Sequence, residues 1–240
     1  MNKNWIMIAL FSFGALTSQA QFGKLLDKGK EMISGASSTG DVAGGLKEAL
    51  EVGVDNAVQS LSATNGYLES PYKILIPEEA QKVTSKVSKL PGFQNIEADL
   101  IAKMNEAAEI AAKKATPIFV NAIKQMSFSD ATNILMGNDD AATRYLEKTS
   151  RAELYSEFMP VIQTALDEVN AREYWQSAVG AYNKIPFTSK LNPELDDHVN
   201  NKALDGMFEL IQNKEEGIRE DKSLRTSPLL KEVFAQQDKS

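Results

Sequence analysis

From Asp41 onward, apolar residues recur at intervals of three and four, and no stretch alternates with the period of two that a half-buried strand requires. Val42, Leu46, Ala49, Leu50, Val54, Ala57, Val58 and Leu61 make the first stripe, with Asp41 as its expected N-cap and Asn65-Gly66 as its stop. Residues 67–76 lose the pattern around Pro71, and are expected to cross the helices as an irregular connection with Ile74-Leu75-Ile76 extended. Pro77 suits the first turn of a helix to about residue 90, where Pro91-Gly92 stops it. A helix over 96–115 is dense in alanine, which lets neighbouring helices approach closely, and Pro117 starts or kinks the next one.

Ser127 and Asp130 match a capping box with aspartate in place of the usual glutamate, and Gly137 supplies the C-terminal stop. Asp139 or Asp140 is expected to cap a short helix through Leu146. Ser150 and Glu153 form a second box, opening a helix to about residue 169 that bends at Pro160. Further helices are expected over about 172–183, from Asn192-Pro193 to about 219, and from Ser227-Pro228 to about 234. The pattern predicts an all-α fold, a single multi-helix bundle-like domain of roughly nine or ten helices over residues 41–236, with 237–240 as a disordered tail.

The first forty residues read differently. Lys3, the apolar run from Trp5 to Leu16, and the small residues Ser18 and Ala20 form a signal peptide over 1–20, with cleavage expected before Gln21. The apolar run is too short for the roughly 20 residues that span a bilayer, and no later stretch is longer, so no transmembrane span is expected in the mature chain. Phe22, Leu25, Leu26, Met32 and Ile33 then define an amphipathic lead helix, and residues 35–40 a flexible linker. The expected location is exported and periplasmic.

Composition removes several chemistries. The chain has 240 residues and no cysteine, which excludes thiol nucleophiles, thiolate metal sites and disulfides. One histidine excludes a zinc site built within the chain from two or three of them. With 33 acids against 26 basic residues, a net charge of -7, nucleic acid is not an expected partner. No phosphate-binding loop, dinucleotide fingerprint or nucleophile elbow occurs, and no cofactor is implied.

Two acidic turns remain as candidate ligand-binding residues. Asp139 and Asp140 follow Gly137-Asn138, and Arg144 lies one helical turn beyond; capping plus a local ion pair accounts for them better than a ligand does. Asp196 and Asp197 precede His198, the sole histidine, which shares a helical face with Glu194; acids at a solvated helix start explain this group without a site. Arg219, Lys222 and Arg225 are read as a salt-laced face, since Glu215, Glu216, Glu220 and Asp221 surround them. Asn105, Glu109, Lys113 and Gln125 are candidates to line an interior polar pocket.

The order of several segments carries a resemblance. Gly45-Leu46-Lys47-Glu48-Ala49-Leu50, Pro117-Ile118-Phe119, Ala122-Ile123-Lys124-Gln125-Met126, Asp140-Ala141-Ala142-Thr143, Ile185-Pro186-Phe187, Lys202-Ala203-Leu204-Asp205-Gly206 and Ile218-Arg219 follow one another as in the bacterial domain of unknown function 4197 family. The likeness covers about residues 44–234, and implies a helical exported domain with no established activity or catalytic residue. His198 stands where the family is expected to carry an aromatic residue, so the resemblance assigns the histidine no role. Together these readings point to a non-enzymatic binding or interaction module, with an envelope protein, a cell-wall component or an amphiphile as partner. The alternatives are a helical lipid carrier, and a metal-assisted hydrolase using Asp139, Asp140, Asp196 and Asp197 with Arg144.

Overall fold

The computed structural model describes residues 39–168, 170–187, 190–191, 194–225, 228–235 and 238; the expected signal peptide, lead helix, the linker up to residue 38 and most of the C-terminal tail lie outside them, while Thr39 and Gly40, expected as linker, are helical. Among the described residues there are nine α-helices, one 3-10 turn and no strand. They are α1 (Thr39–Ser62), α2 (Glu78–Val87), α3 (Ile96–Ala112), α4 (Ala115–Gln125), α5 (Phe128–Leu135), α6 (Ala141–Glu168), α7 (Ala171–Tyr182), α8 (Asp196–Glu220) and α9 (Pro228–Phe234), with the 3-10 turn at Lys222–Leu224. None is long and apolar enough to cross a membrane.

The antiparallel pair α6 and α8 forms the spine. Arg144 meets Gln212, Arg151 meets Asp205 at 2.6 Å, and Asn200 donates to the Tyr155 carbonyl at 3.0 Å, so one helix rises as the other descends. Against this pair lie α3, whose Ala107, Ala108, Ala111 and Ala112 are fully buried, and α4, whose Phe119 meets Phe208 edge-on at 5.7 Å. The absence of side-chain bulk along α3 is what permits close contact with both spine helices. On the far side α2 packs on α7, with Phe93 stacked on Tyr174 at 5.9 Å. A smaller apolar cluster of Leu46, Met126, Ala131, Ile134, Leu135, Ala142, Val233 and Phe234 gathers α1, α5, α9 and the start of α6.

Four expectations change. Asp41 lies inside α1, which starts at Thr39, so it is not the N-cap. The break foreseen before Ser150 does not exist: α6 runs unbroken for 28 residues, about 42 Å. Ser150 is buried and donates its hydroxyl back to the Leu146 carbonyl at 2.5 Å, so it serves the helix interior instead of capping a new start. The helix after Asn192-Pro193 begins only at Asp196, because Leu195 is turned into the core just before the first turn. The Ser127–Asp130 box forms as expected: the Asp130 amide donates to Ser127 Oγ at 3.1 Å, and the Ser127 amide to Asp130 Oδ2 at 2.9 Å.

The irregular crossing is held by two buried side chains of α3. Asn105 accepts from the Ile74 amide at 2.9 Å and donates to its carbonyl at 2.9 Å, a pairing that replaces a strand partner. Glu109 accepts from the Asn65 amide at 3.1 Å and the Tyr67 amide at 3.2 Å, just past α1, where Asn65 has φ +61°. Burial, with the Glu109 carboxylate nearby, pushes the Tyr67 phenol far above its usual range, so it stays protonated and donates to the Ala203 carbonyl at 2.7 Å. Gly206 allows this approach, since a Cβ there would fall 2.9 Å from the Tyr72 Cβ. Asn105 and Glu109 therefore face inward but onto backbone, while Lys113 and Gln125 are exposed; no interior polar pocket forms from the four. Asn105→Ala strips both polar groups of Ile74 of their partner in a dry core and is expected to cost about 2–4 kcal/mol in urea unfolding.

Candidate functional site

The site is built where three helices end or begin together. Helix α5 stops at Leu135, where the Ile134 carbonyl takes the Gly137 amide at 3.2 Å, and α6 begins at Ala141, whose amide donates to the Asn138 carbonyl at 3.0 Å, while the amides of Ala142 and Thr143 have no partner within the helix. Across both lies the last part of α8, whose apolar phase runs Leu204, Phe208, Ile211 and then, at the next two steps, Glu215 and Arg219. Both charges are buried.

Glu215 accepts from the Ala142 and Thr143 amides and from the Thr143 hydroxyl, each at 2.8 Å. Arg219 donates to the Ile134 carbonyl at 2.9 Å and the Leu135 carbonyl at 3.2 Å, and pairs with Glu215 at 2.8 Å. The anion thus sits at the positive end of α6 and the cation at the negative end of α5, so both helix dipoles favour the pair that joins them. This arrangement supplies the hydrogen bonds that two charges need to leave water.

The same corner holds α9. Phe234 lies against two guanidinium groups, Arg219 at 5.4 Å and Arg225 at 5.6 Å from its ring centroid. Arg225 donates to the Ile218 and Arg219 carbonyls at 3.0 Å each and pairs with Asp238 at 2.7 Å. Beside Arg219 and Glu215 opens a groove of about 50 Å³, its walls Leu46, Leu50 and Val54 of α1, Ile211 of α8, and Leu230 and Phe234 of α9. Lys214 lines it too and is exposed.

The residues singled out from sequence fall elsewhere. Asp140 is not the cap of α6; Glu215, from 73 residues away, takes the Ala142 amide, and Asp140 accepts from Arg144 Nε at 2.9 Å. Arg144 also donates to Glu147 at 2.6 Å and to Gln212, and Asp139 is exposed. Asp196 is buried, accepts from Gln163 at 3.0 Å and lies 3.6 Å from Arg172. Asp197 accepts from the Tyr155 hydroxyl at 2.6 Å, which pushes that phenol up.

Along α8 the contact at Gln212 and the residue Asp196 are 16 positions apart, about 24 Å, so the two acidic turns occupy opposite ends of the spine. A shared ion needs every ligand oxygen within about 2.6 Å, and this spacing prevents it. Among the described residues no group of three or more His, Asp and Glu side chains is placed to hold a metal ion. Glu194 lies ahead of α8, off the helix face it was expected to share with His198. His198 Nε2 instead meets the Leu75 carbonyl at 2.8 Å. Arg219 and Arg225 form no solvated face, since both are buried.

These features define an all-α helical domain in which buried charges tie helix ends together beside an apolar groove. The family described as Protein of unknown function (DUF4197) matches residues 36–235, and the chain belongs to that family. No curated protein and no solved structure matches it.

Two stability measurements separate the roles. Glu215→Ala leaves Arg219 buried without its anion and is expected to cost about 3–5 kcal/mol, much of it recovered in the Glu215→Leu/Arg219→Met double variant. Asp140→Ala, which removes only a half-exposed pair, is expected to stay within about 0.5 kcal/mol in the same denaturation assay. The Arg225 and Lys222 hydrogen bonds hold the Asp238 carboxyl down to about 2. Its contribution to holding the C-terminus is therefore complete above the usual carboxylate range and lost as pH falls through about 2, and a carboxyl titration followed by NMR will find it ionised at about pH 3.

Proposed function

We propose that this chain is an exported, periplasmic, non-enzymatic interaction module, whose α1/α8/α9 groove accepts apolar side chains from a partner protein of the envelope. The observation that carries this reading is the groove itself: an apolar depression with the Glu215–Arg219 pair in its lining and exposed Lys214 beside it. The buried pair fixes α8 against α5 and α6, and Phe234 of α9 lies on Arg219, which gives a preformed surface at little ordering cost on binding. At about 50 Å³ it suits one or two side chains, and falls well short of the roughly 300–1,000 Å³ of sites that enclose a small ligand. That size speaks against this groove as the site of a carried lipid. The separation of the acidic turns likewise leaves the hydrolase reading without a joint site.

Gly53 offers the test. It lines the groove on α1, and a Cβ added there meets nothing within 4 Å. Gly53→Leu fills the depression while removing a helix-weakening glycine, so the melting temperature is expected to hold or rise. Native mass spectrometry of protein recovered from the envelope fraction is expected to show a complex with the wild type and none with Gly53→Leu. An equally abundant complex in both would overturn the groove as the binding surface.

A further inference from the structure

The chain is acidic overall, yet it has acid-free stretches, among them residues 80–95 and residues 174–193. Between them they carry Lys82, Lys86, Lys89, Lys184 and Lys190. The fold brings the stretches together, because α2 packs on α7 and the Lys86 ammonium stands 5.3 Å from the Tyr182 ring centroid. Lys82, Lys86 and Lys89, at spacings of four and three, line the outer face of this helix region while Val83, Thr84 and Val87 face the core. All five lysines are exposed, and among the residues whose side chains are described none is in an ion pair with an acid, Glu78 and Glu79 standing one helical turn ahead of Lys82 in the sequence.

From the end of α7 the chain leaves as a loop pinned at its base. The Asn183 side chain donates to the Leu191 carbonyl at 3.2 Å and accepts from the Leu191 amide at 3.1 Å, and Lys190 donates to the Asn183 carbonyl. Within the loop Phe187 is fully exposed and holds φ +64°, a conformation that disfavours a bulky side chain. An aromatic ring there adds nothing to the core and strains the backbone, a combination found where a side chain serves an interaction. Leu90, at the end of the α2 stripe, is also exposed.

We infer that the α2 lysine stripe and the clamped Phe187 loop form a peripheral docking face for an anionic lipid surface, with Phe187 entering the acyl boundary and the lysines meeting headgroup phosphates. The charge complementarity selects an anionic partner, and a lone projecting ring flanked by Lys184 and Lys190 suits a deformable apolar layer better than a fixed protein pocket. This face uses different residues from the α1/α8/α9 groove and does not depend on it.

The test is sedimentation of the full chain with phosphatidylglycerol-containing vesicles, and with pure phosphatidylcholine vesicles as the neutral comparison. Binding is expected only to the anionic vesicles, and to weaken with added salt. Phe187→Gly relieves the positive φ and is expected to keep the melting temperature while lowering partitioning about tenfold or more. The Lys82→Glu/Lys184→Glu pair is expected to lower it at least fivefold for each lysine removed, since each contributes about 1 kcal/mol near such a surface. Binding carried by residues ahead of Thr39 is indifferent to all of these substitutions, so equal binding by wild type and variants overturns the proposal. Binding to soluble polyglutamate with none to anionic vesicles also overturns it, in favour of an acidic protein partner.

Discussion

The Glu215–Arg219 pair is the interaction on which the corner of this molecule depends. Two charges four residues apart on α8 complete the open end of α5 and the open start of α6, and Arg219 goes on to seat Phe234 of α9. Without the pair, four backbone groups at two helix termini would need other partners in an apolar setting. The groove walls are the apolar residues that remain once those termini are joined, so scaffold and surface have one origin.

The molecule repeats this device at its other irregular point. Where the chain crosses between α1 and α2, Asn105 and Glu109 reach out of α3 and take the backbone groups that a strand neighbour would have satisfied. An all-helical fold has no sheet to hold an extended segment, so the polar side chains of a buried helix do so. These residues resemble a site in every local respect, being buried, polar and convergent, yet their partners are the chain itself.

Most helix positions are legible in the residues alone, because a stripe of apolar residues at 3.6 spacing and a Ser127–Asp130 box act locally. Positions whose local chemistry has two uses are not. Ser150 carries the same hydroxyl whether it caps a helix or donates back into one, and burial against the spine selected the second. Asp140 is as suitable a cap as Glu215 by type, but the carboxylate that arrives from α8 occupies the amides first. The signal for Glu215 and Arg219 was present in the helical phase that continues from Leu204, Phe208 and Ile211, and was masked by the acids crowded around them.

What the amino-acid sequence determined by itself is the class: helices throughout, family membership over residues 36–235, and no thiol chemistry in a chain without cysteine. Those properties follow from periodicity and composition, which need no knowledge of what lies across the core. Only the tertiary structure decided which charges are buried, which acids stand apart, and which lysines share a face. Each of those depends on a neighbour tens of residues away, and the energy of a charge is set by what replaces its water, not by its own identity.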